Sequence, residues 1–486
     1  MEDWKKISVM NPKEIREMQN RKLRAFLANQ IYLYSPFYSA KMKELNIDPI
    51  KIKGVEDLKH MPFTYKEDIA PTDEDPQRHK SYVIRPDEEL TEKYGTMAQL
   101  SPYGGKEVVE NKVYDYKPVH IHFTTGRTAQ PTPFVYSKRD VENLKESGYR
   151  LLDVFGVSKH DITLNAFPFA PHLAFWQTFF AGEKLNMSVL NSGGGKILGT
   201  NNLLDSVEYL RPTVLVFIPG YAYYFLREAA KQKRDFSSVE KIFFGGERVP
   251  PGLKDKIRDL LMEMGSKDPM VLATYGMTEA RVAWGECPSK DEYHGYHTYP
   301  DFEIFEAVDI STGEPVGEGE EGEIVYTALD WRGTCVVRYR TGDVAKGGIL
   351  YEPCPNCGRT VPRISSRIER KSDFKEFDMT KVKGTLVNLN NFFPLLMGHR
   401  DVVEWQVEMR KRNDDPFDLD EVYLHVALQE GVNKEVFENE IRQRVIRDTE
   451  VSLTAVLYKP VEEILKNIGM ETEMKEKRVV DNRVKS

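Results

Sequence analysis

Near the start of the chain, apolar positions recur at helical spacing. Ile15, Met18, Leu23, Phe26, Leu27 and Ile31 fall on one face, behind an Asn11-Pro12 pair that reads as an N-cap and a first-turn proline. A polar, proline-containing region follows at about 71–103. From about 119 to 343 short apolar runs at 162–167, 213–218, 241–244 and 271–274 alternate with helical stretches at 138–155, 221–231 and 252–264. That alternation predicts layered α/β sheets. Ser137, three residues before Asp140, predicts a capping box at one helix start.

Near residue 370 the texture changes. Residues 371–383 are charged and carry few large apolar side chains. Beyond them Val403, Trp405, Val407 and Met409, then Val422, Leu424, Val426 and Leu428, alternate with period two. A helix at 434–447, with Val436, Phe437, Ile441 and Val445 on its face, and a strand at 453–458 complete a β-β-α-β unit. The expected fold is a large, multi-sheet N-terminal α/β domain followed by a small, separate C-terminal α+β domain.

Composition narrows the function classes. With 486 residues, 40% of them hydrophobic, the chain can build two to four domains. A formal net charge of −8 argues against a broad basic surface, so no nucleic-acid partner is expected. No apolar stretch follows Met1-Glu2-Asp3-Trp4-Lys5-Lys6, and the most apolar long run, 214–226, is broken by Pro219-Gly220. Neither a secretory signal nor a membrane span of roughly 20 residues is expected, and the expected location is cytoplasmic. Four cysteines, Cys287, Cys335, Cys354 and Cys357, are too few for a disulfide scaffold and point to core or metal roles. Cys335, in an apolar strand expected at 334–337, is assigned to the core.

Four short motifs carry chemistry. Phe123-Thr124-Thr125-Gly126-Arg127-Thr128-Ala129-Gln130-Pro131-Thr132 lies between two apolar strand segments, where small hydroxyl residues and glycine let the backbone curl around a polyphosphate. A plain polar hairpin is the other reading of it. In Thr274-Tyr275-Gly276-Met277-Thr278-Glu279 a strand runs into a turn; Tyr275 can stack on a base and Glu279 can hold a hard cation. In Arg338-Tyr339-Arg340-Thr341-Gly342-Asp343 a carboxylate follows a glycine turn and can accept both hydroxyls of a ribose. Ser366-Arg367-Ile368-Glu369 stands where the texture changes.

In this order, with Gly245-Gly246-Glu247 between the first two, the motifs resemble the adenylate-forming superfamily of acyl-CoA synthetases, adenylation domains and luciferases. The phenylacetate–CoA ligase-like branch is the nearest match, through Cys354-Pro355-Asn356-Cys357-Gly358-Arg359 and through Met474-Lys475-Glu476-Lys477-Arg478-Val479-Val480-Asp481-Asn482-Arg483. The resemblance spans about residues 10–484 and implies site roles. Thr124, Thr125, Gly126, Thr128 and Thr132 would cradle the ATP phosphates. Gly246 and Glu247 would border the adenine, with Tyr275 against its face. Thr278 would contact the α-phosphate, Glu279 would help hold Mg²⁺, and Asp343, assisted by Arg367, would bind the ribose. Glu369 would be the hinge between domains 1–368 and 370–486. Lys475 would reach the carboxylate and α-phosphate, with Lys477 its rival. The sequence departs from the family at Arg127, which replaces a usual Thr, at Ala129-Gln130, which replace Gly-Lys, and at Met474, which replaces Gly.

Cys354-x-x-Cys357 is a metal-knuckle spacing. Cys287 and His297, with His294 nearby, also match the branch, so Cys287, His297, Cys354 and Cys357 would make a structural Zn²⁺ site; reduced, unmetallated thiols with His297 on the surface are the other reading. The implied activity is an ATP- and Mg²⁺-dependent ligase that activates an aromatic or arylacetic acid as acyl-AMP and passes it to coenzyme A. Phe167, Phe169, His172, Phe175, Trp176 and Tyr221 stand near segments that could line an acyl pocket; ordinary core packing is the rival reading. Transfer to a carrier protein, an amine or a cofactor is the alternative reaction, and a nucleotide-binding protein without turnover is the alternative of another class. The partners expected are the acid and coenzyme A, with a homodimer left open.

Overall fold

The computed structural model describes residues 3–86, 116–124, 131–289, 293–370, 379–382, 385–415, 418–449, 451–472 and 476–484. Two compact units divide the chain, one formed by Met1–Asp161, Ala170–Val189 and Thr274–Glu369, the other by Ile162–Phe169, Leu190–Ala273 and Arg370–Ser486.

In the first unit the N-terminal helix Pro12–Phe26 begins as expected, the Asn11 side chain accepting from the Lys13 backbone N–H. Strands Pro118–Phe123 and Pro133–Ser137 form an antiparallel hairpin that feeds the helix Lys138–Val154. The capping box there is reciprocal: Ser137 N–H donates to Asp140 at 2.9 Å and Asp140 N–H to Ser137 Oγ at 3.2 Å. The second half of the strand Met270–Met277 pairs antiparallel with Val282–Glu286. Glu303–Val308, Gly322–Ala328, Tyr339–Ala345 and Ile368–Arg370 lie in that order in a separate four-stranded sheet.

The second unit holds a parallel sheet. Val214–Phe217 lies between Ile162–Asn165 and Lys241–Phe244, and Lys241–Phe244 pairs on its other edge with the first half of Met270–Met277. Helices Thr200–Leu210, Pro219–Lys231 and Pro251–Glu263 supply apolar faces (Leu203, Phe225, Leu226, Ile257 and Leu261 are buried) to a core with Leu215, Phe217 and Ile242. Such strands are near-continuously apolar because both faces are covered.

After residue 370 the same unit contains a smaller α+β domain. Ala455–Tyr458, Asp420–Leu428, Val402–Lys411 and Val479–Asp481 form its sheet, in that order. Its own core gathers Trp405, Val407, Met409, Leu424 and Val426 against Phe437, Ile441 and Val445 of the helix Lys434–Thr449. The expected β-β-α-β unit is present, with departures in the helix face and in the number of strands. Val436 is 63% exposed, so the helix face is set by Phe437, Ile441 and Val445. The three-residue edge strand Val479–Asp481, parallel to Val402–Lys411, joins the sheet. No described helix is long and apolar enough to cross a membrane.

Candidate active site

As expected, a strand runs into a turn within residues 274–279, and the turn takes the end of the motif. Tyr275, Gly276 and Met277 are still strand, because cross-strand pairing runs from Thr274↔Gly285 to Met277↔Val282. The chain reverses at residues 278–281, so Thr278 and Glu279 are presented by the hairpin loop itself, both half-buried. Gly276 is required by the pairing: a β-carbon there would lie 2.6 Å from that of Ala283.

Asp343 is presented by a bulge. Glu323 pairs with Val344 but Val325 pairs with Arg340, which leaves extra residues on the Tyr339–Ala345 strand. Gly342 takes φ +73, a left-handed conformation that favours glycine, and its N–H donates to Glu323 at 3.2 Å. Thr341 Oγ1 donates to the Ile324 carbonyl at 2.7 Å and accepts from Asp343 N–H at 3.0 Å. The buried Asp343 carboxylate accepts from the Tyr275 hydroxyl at 2.8 Å, which joins the second and third motifs. The Tyr275 ring packs 5.6 Å from Trp284 and 5.9 Å from Tyr296.

Glu279 accepts from the Tyr339 hydroxyl at 3.1 Å, and the Tyr326 hydroxyl donates to the Ala280 carbonyl at 3.3 Å. Neither tyrosine was expected from the sequence to support the site. For Tyr339 a signal existed, since it stands four residues before Asp343 in the same motif. Tyr326 lies in the strand Gly322–Ala328, buried along its whole length and outside every motif, and carried none.

At the polar loop the strands are joined by a clasp. Thr124 N–H donates to the Thr132 carbonyl, and Thr132 N–H donates to Thr124 Oγ1, both at 3.0 Å. Both threonines are buried. Thr125, Gly126 and Thr128 lie outside the described residues, as does Lys475. Arg367 is exposed, and its carbonyl accepts from Lys346 N–H at 2.9 Å. Glu369 pairs with the Lys346 ammonium at 3.4 Å.

Gly246 and Glu247 belong to the second unit, directly after the strand Lys241–Phe244. Gly246 has φ +83 and open space where a side chain would stand. This is the carboxyl end of a parallel strand, where open α/β sheets commonly bind ligands. Of the aromatic residues near the expected acyl pocket, Phe167 and Phe175 are buried, whereas Phe169 is 63% exposed.

Cys287, His297, Cys354 and Cys357 converge, their ligand atoms all within 4.8 Å of one another. Cys287 and Cys354 sulfurs are 3.7 Å apart, and Cys357 Sγ is 3.2 Å from His297 Nε2. His297 Nδ1 faces the Gly285 carbonyl at 3.4 Å. Thiol crowding pushes Cys287 far up, chiefly through Cys354, and holds Cys357 far down, chiefly through Cys287. Cys335 is buried, as expected, but in irregular chain with one isolated bridge at Thr334 in place of the expected strand.

The family model for AMP-binding enzymes matches residues 53–330. Phenylacetate-coenzyme A ligase from Thermus thermophilus is 26% identical over 463 residues, covering 94% of this chain and 92% of that protein. The enzyme of the same name from Escherichia coli is 23% identical over 425 residues, covering 86% and 83%. A crystal structure of 2-hydroxyisobutyryl-CoA ligase, in the postadenylation state with 2-HIB-AMP, shares the fold with a TM-score of 0.74 at 22% identity, covering 98% of this chain and 92% of that one. The chain therefore belongs to the AMP-binding enzyme family, in the phenylacetate–CoA ligase-like branch of the adenylate-forming superfamily.

Proposed function

We propose that this chain is an ATP-dependent, AMP-forming ligase that converts a carboxylic acid to acyl-AMP and transfers the acyl group to the thiol of coenzyme A. One observation carries the reading: within one compact unit the Tyr275 hydroxyl closes on Asp343, and the Thr278–Glu279 turn follows directly on the Tyr275 strand. Ribose, base and metal-bound phosphates require those groups as neighbours. Relatives called phenylacetate-coenzyme A ligases support an aromatic or arylacetic acid.

In this reading Thr124, Thr125, Gly126, Thr128 and Thr132 hold the triphosphate, while Gly246, Glu247 and Tyr275 border the adenine. Asp343 accepts from the ribose hydroxyls with Arg367 beside it, and Thr278 donates to the α-phosphate. Glu279 holds Mg²⁺, which would offset the charge of the phosphates. Lys475 donates to the carboxylate and the α-phosphate. Acid and ATP are both anionic, so these donors lower the repulsion and orient in-line attack. No nucleophilic side chain is needed. Glu369 serves as hinge between domains 1–368 and 370–486, separating the half-reactions by domain motion.

The cysteine cluster is proposed as a structural Zn²⁺ site. With Zn–S near 2.3 Å, a tetrahedral edge between two sulfurs is about 3.7 Å, and Cys287 and Cys354 stand at 3.7 Å. His297, facing a carbonyl through Nδ1, presents Nε2 to the thiols.

ATP–pyrophosphate exchange across a panel of acids, with mass spectrometry for acyl-CoA, tests the proposal. Aryl acids should promote exchange and give the thioester, and Lys475→Ala should abolish exchange. Exchange without acyl-CoA would move the acceptor to a carrier protein, amine or cofactor. Silence with every acid despite ATP binding would favour a nucleotide-binding protein without turnover.

A further inference from the structure

Arg281 closes the hairpin loop that presents Thr278 and Glu279. Its N–H donates to the Met277 and Thr278 carbonyls, each at 3.1 Å, and its φ is +65. Glycine or asparagine is the usual occupant of such a conformation, and a longer side chain there is disfavoured. The side chain is also fully buried and charged. Two unfavourable features coincide at one residue, two positions from the carboxylate assigned to the metal.

The guanidinium explains what it is doing there. It stacks 4.2 Å from the Trp331 ring and lies 5.6 Å from Tyr136. Its Nη1 is 3.6 Å from Asp140 Oδ2 and 3.5 Å from the Val135 carbonyl. Val135 belongs to the strand that returns from the polar loop, three residues after Thr132. Asp140 caps the helix that follows and also accepts from Arg332 N–H at 2.7 Å and Gly333 N–H at 2.6 Å. One side chain thus reaches from the Glu279 turn to the returning arm of the phosphate loop, within a single compact unit.

Stability is a poor reason for this arrangement. A buried ion pair is often no more stabilising than apolar groups of the same volume. Asp140 keeps three backbone donors without Arg281, so methionine at 281 leaves no stranded carboxylate. What only the arginine supplies is a fixed distance between the turn and the loop arm.

We infer that Arg281 is a positioning residue that sets the Thr278–Glu279 turn against the phosphate loop. The inference rests on the reading of Glu279 as a Mg²⁺ ligand. Arg281→Met, Arg281→Lys and Glu279→Gln, each in the full chain, are compared by ATP–pyrophosphate exchange over a Mg²⁺ titration and by thermal melting. Arg281→Met should lower kcat/KM for ATP about tenfold, as sub-ångström misplacement of a reacting group does. It should also raise the half-saturating Mg²⁺ several-fold while leaving KM for the acid unchanged. Arg281→Lys, which keeps the charge but not the fork, should fall between, and it carries the test if the methionine variant fails to fold. If Glu279→Gln shifts the Mg²⁺ dependence and neither Arg281 variant does, Arg281 only packs and the inference is overturned. If Glu279→Gln leaves the Mg²⁺ dependence unchanged, the metal-ligand reading fails, and the inference with it.

Discussion

Replacing Glu303 by glutamine should remove a loss of stability that this one carboxyl imposes between pH 6 and pH 8. Glu303 is 1% exposed and accepts from Trp284 Nε1 at 2.8 Å and from Tyr299 N–H at 2.6 Å. Its Oε2 has no hydrogen-bond partner among the described residues. Burial pushes its carboxyl from the ordinary 4.5 up to about 8, partly opposed by those two donors and by Arg150. The sign follows from linkage. Below 4.5 folded and unfolded chains both carry the proton. Between 4.5 and 8 the unfolded chain releases it and the folded one retains it, so folding is progressively penalised until the folded group also ionises. The full gap is worth ~5 kcal/mol, and ~2 kcal/mol of it falls between pH 6 and pH 8. Glutamine keeps both accepted bonds and places an amide where Oε2 was, an offset that does not vary with pH. Melting temperatures of wild type and Glu303→Gln, measured in parallel from pH 6 to 8.5, should converge or cross by on the order of 4 °C. Parallel curves would refute the reasoning. The matter reaches the site, since Glu303 holds Trp284 and Trp284 packs against Tyr275.

Tyr339→Phe removes the donor to Glu279 and should lower kcat/KM for ATP by about 3–10-fold, the loss of one hydrogen bond of roughly 1 kcal/mol, with KM for the acid unchanged in exchange assays. Metal analysis should find one zinc per chain, lost in Cys357→Ser, and a chelator should lower the melting temperature of the wild type but not of that variant. Glu476 sits against Gly220 of the helix Pro219–Lys231 and is pushed up to about 7 by burial, against the pull of Arg478 and with Glu247 and Glu404 adding to the rise. Packing of residues 476–484 should therefore loosen as pH climbs from 4.5 through 7, read as faster amide exchange there relative to Glu476→Gln.

The parts of the fold legible in the sequence were those governed by local rules. Asn11-Pro12 and the Ser137/Asp140 box started helices where capping chemistry requires. Period-two runs around Trp405 and Leu424 became strands because one face had to meet the core. Val479–Asp481 was not legible, since three residues carry too little periodicity and their place depends on pairing with Val402–Lys411. At the site, Asp343 and Glu279 were marked by their motifs. The residue at which strand gives way to turn was not, because it is set by pairing of Met277 with Val282 on the partner strand. Tyr326, Arg281 and Glu303 escaped notice because their meaning lies in partners 46 to 141 positions away or in burial that only the folded chain reveals.

The Thr124–Thr132 clasp has a consequence for how this enzyme can change. Its two hydrogen bonds tie off the polar segment at its base, and neither uses a side chain from within the segment. The strands Pro118–Phe123 and Pro133–Ser137 are thus held together at Thr124 and Thr132 by groups of those two residues alone. Natural variation can explore the sequence between the two threonines while the clasp keeps the strand ends in place, and a graft there in the laboratory leaves the clasp intact.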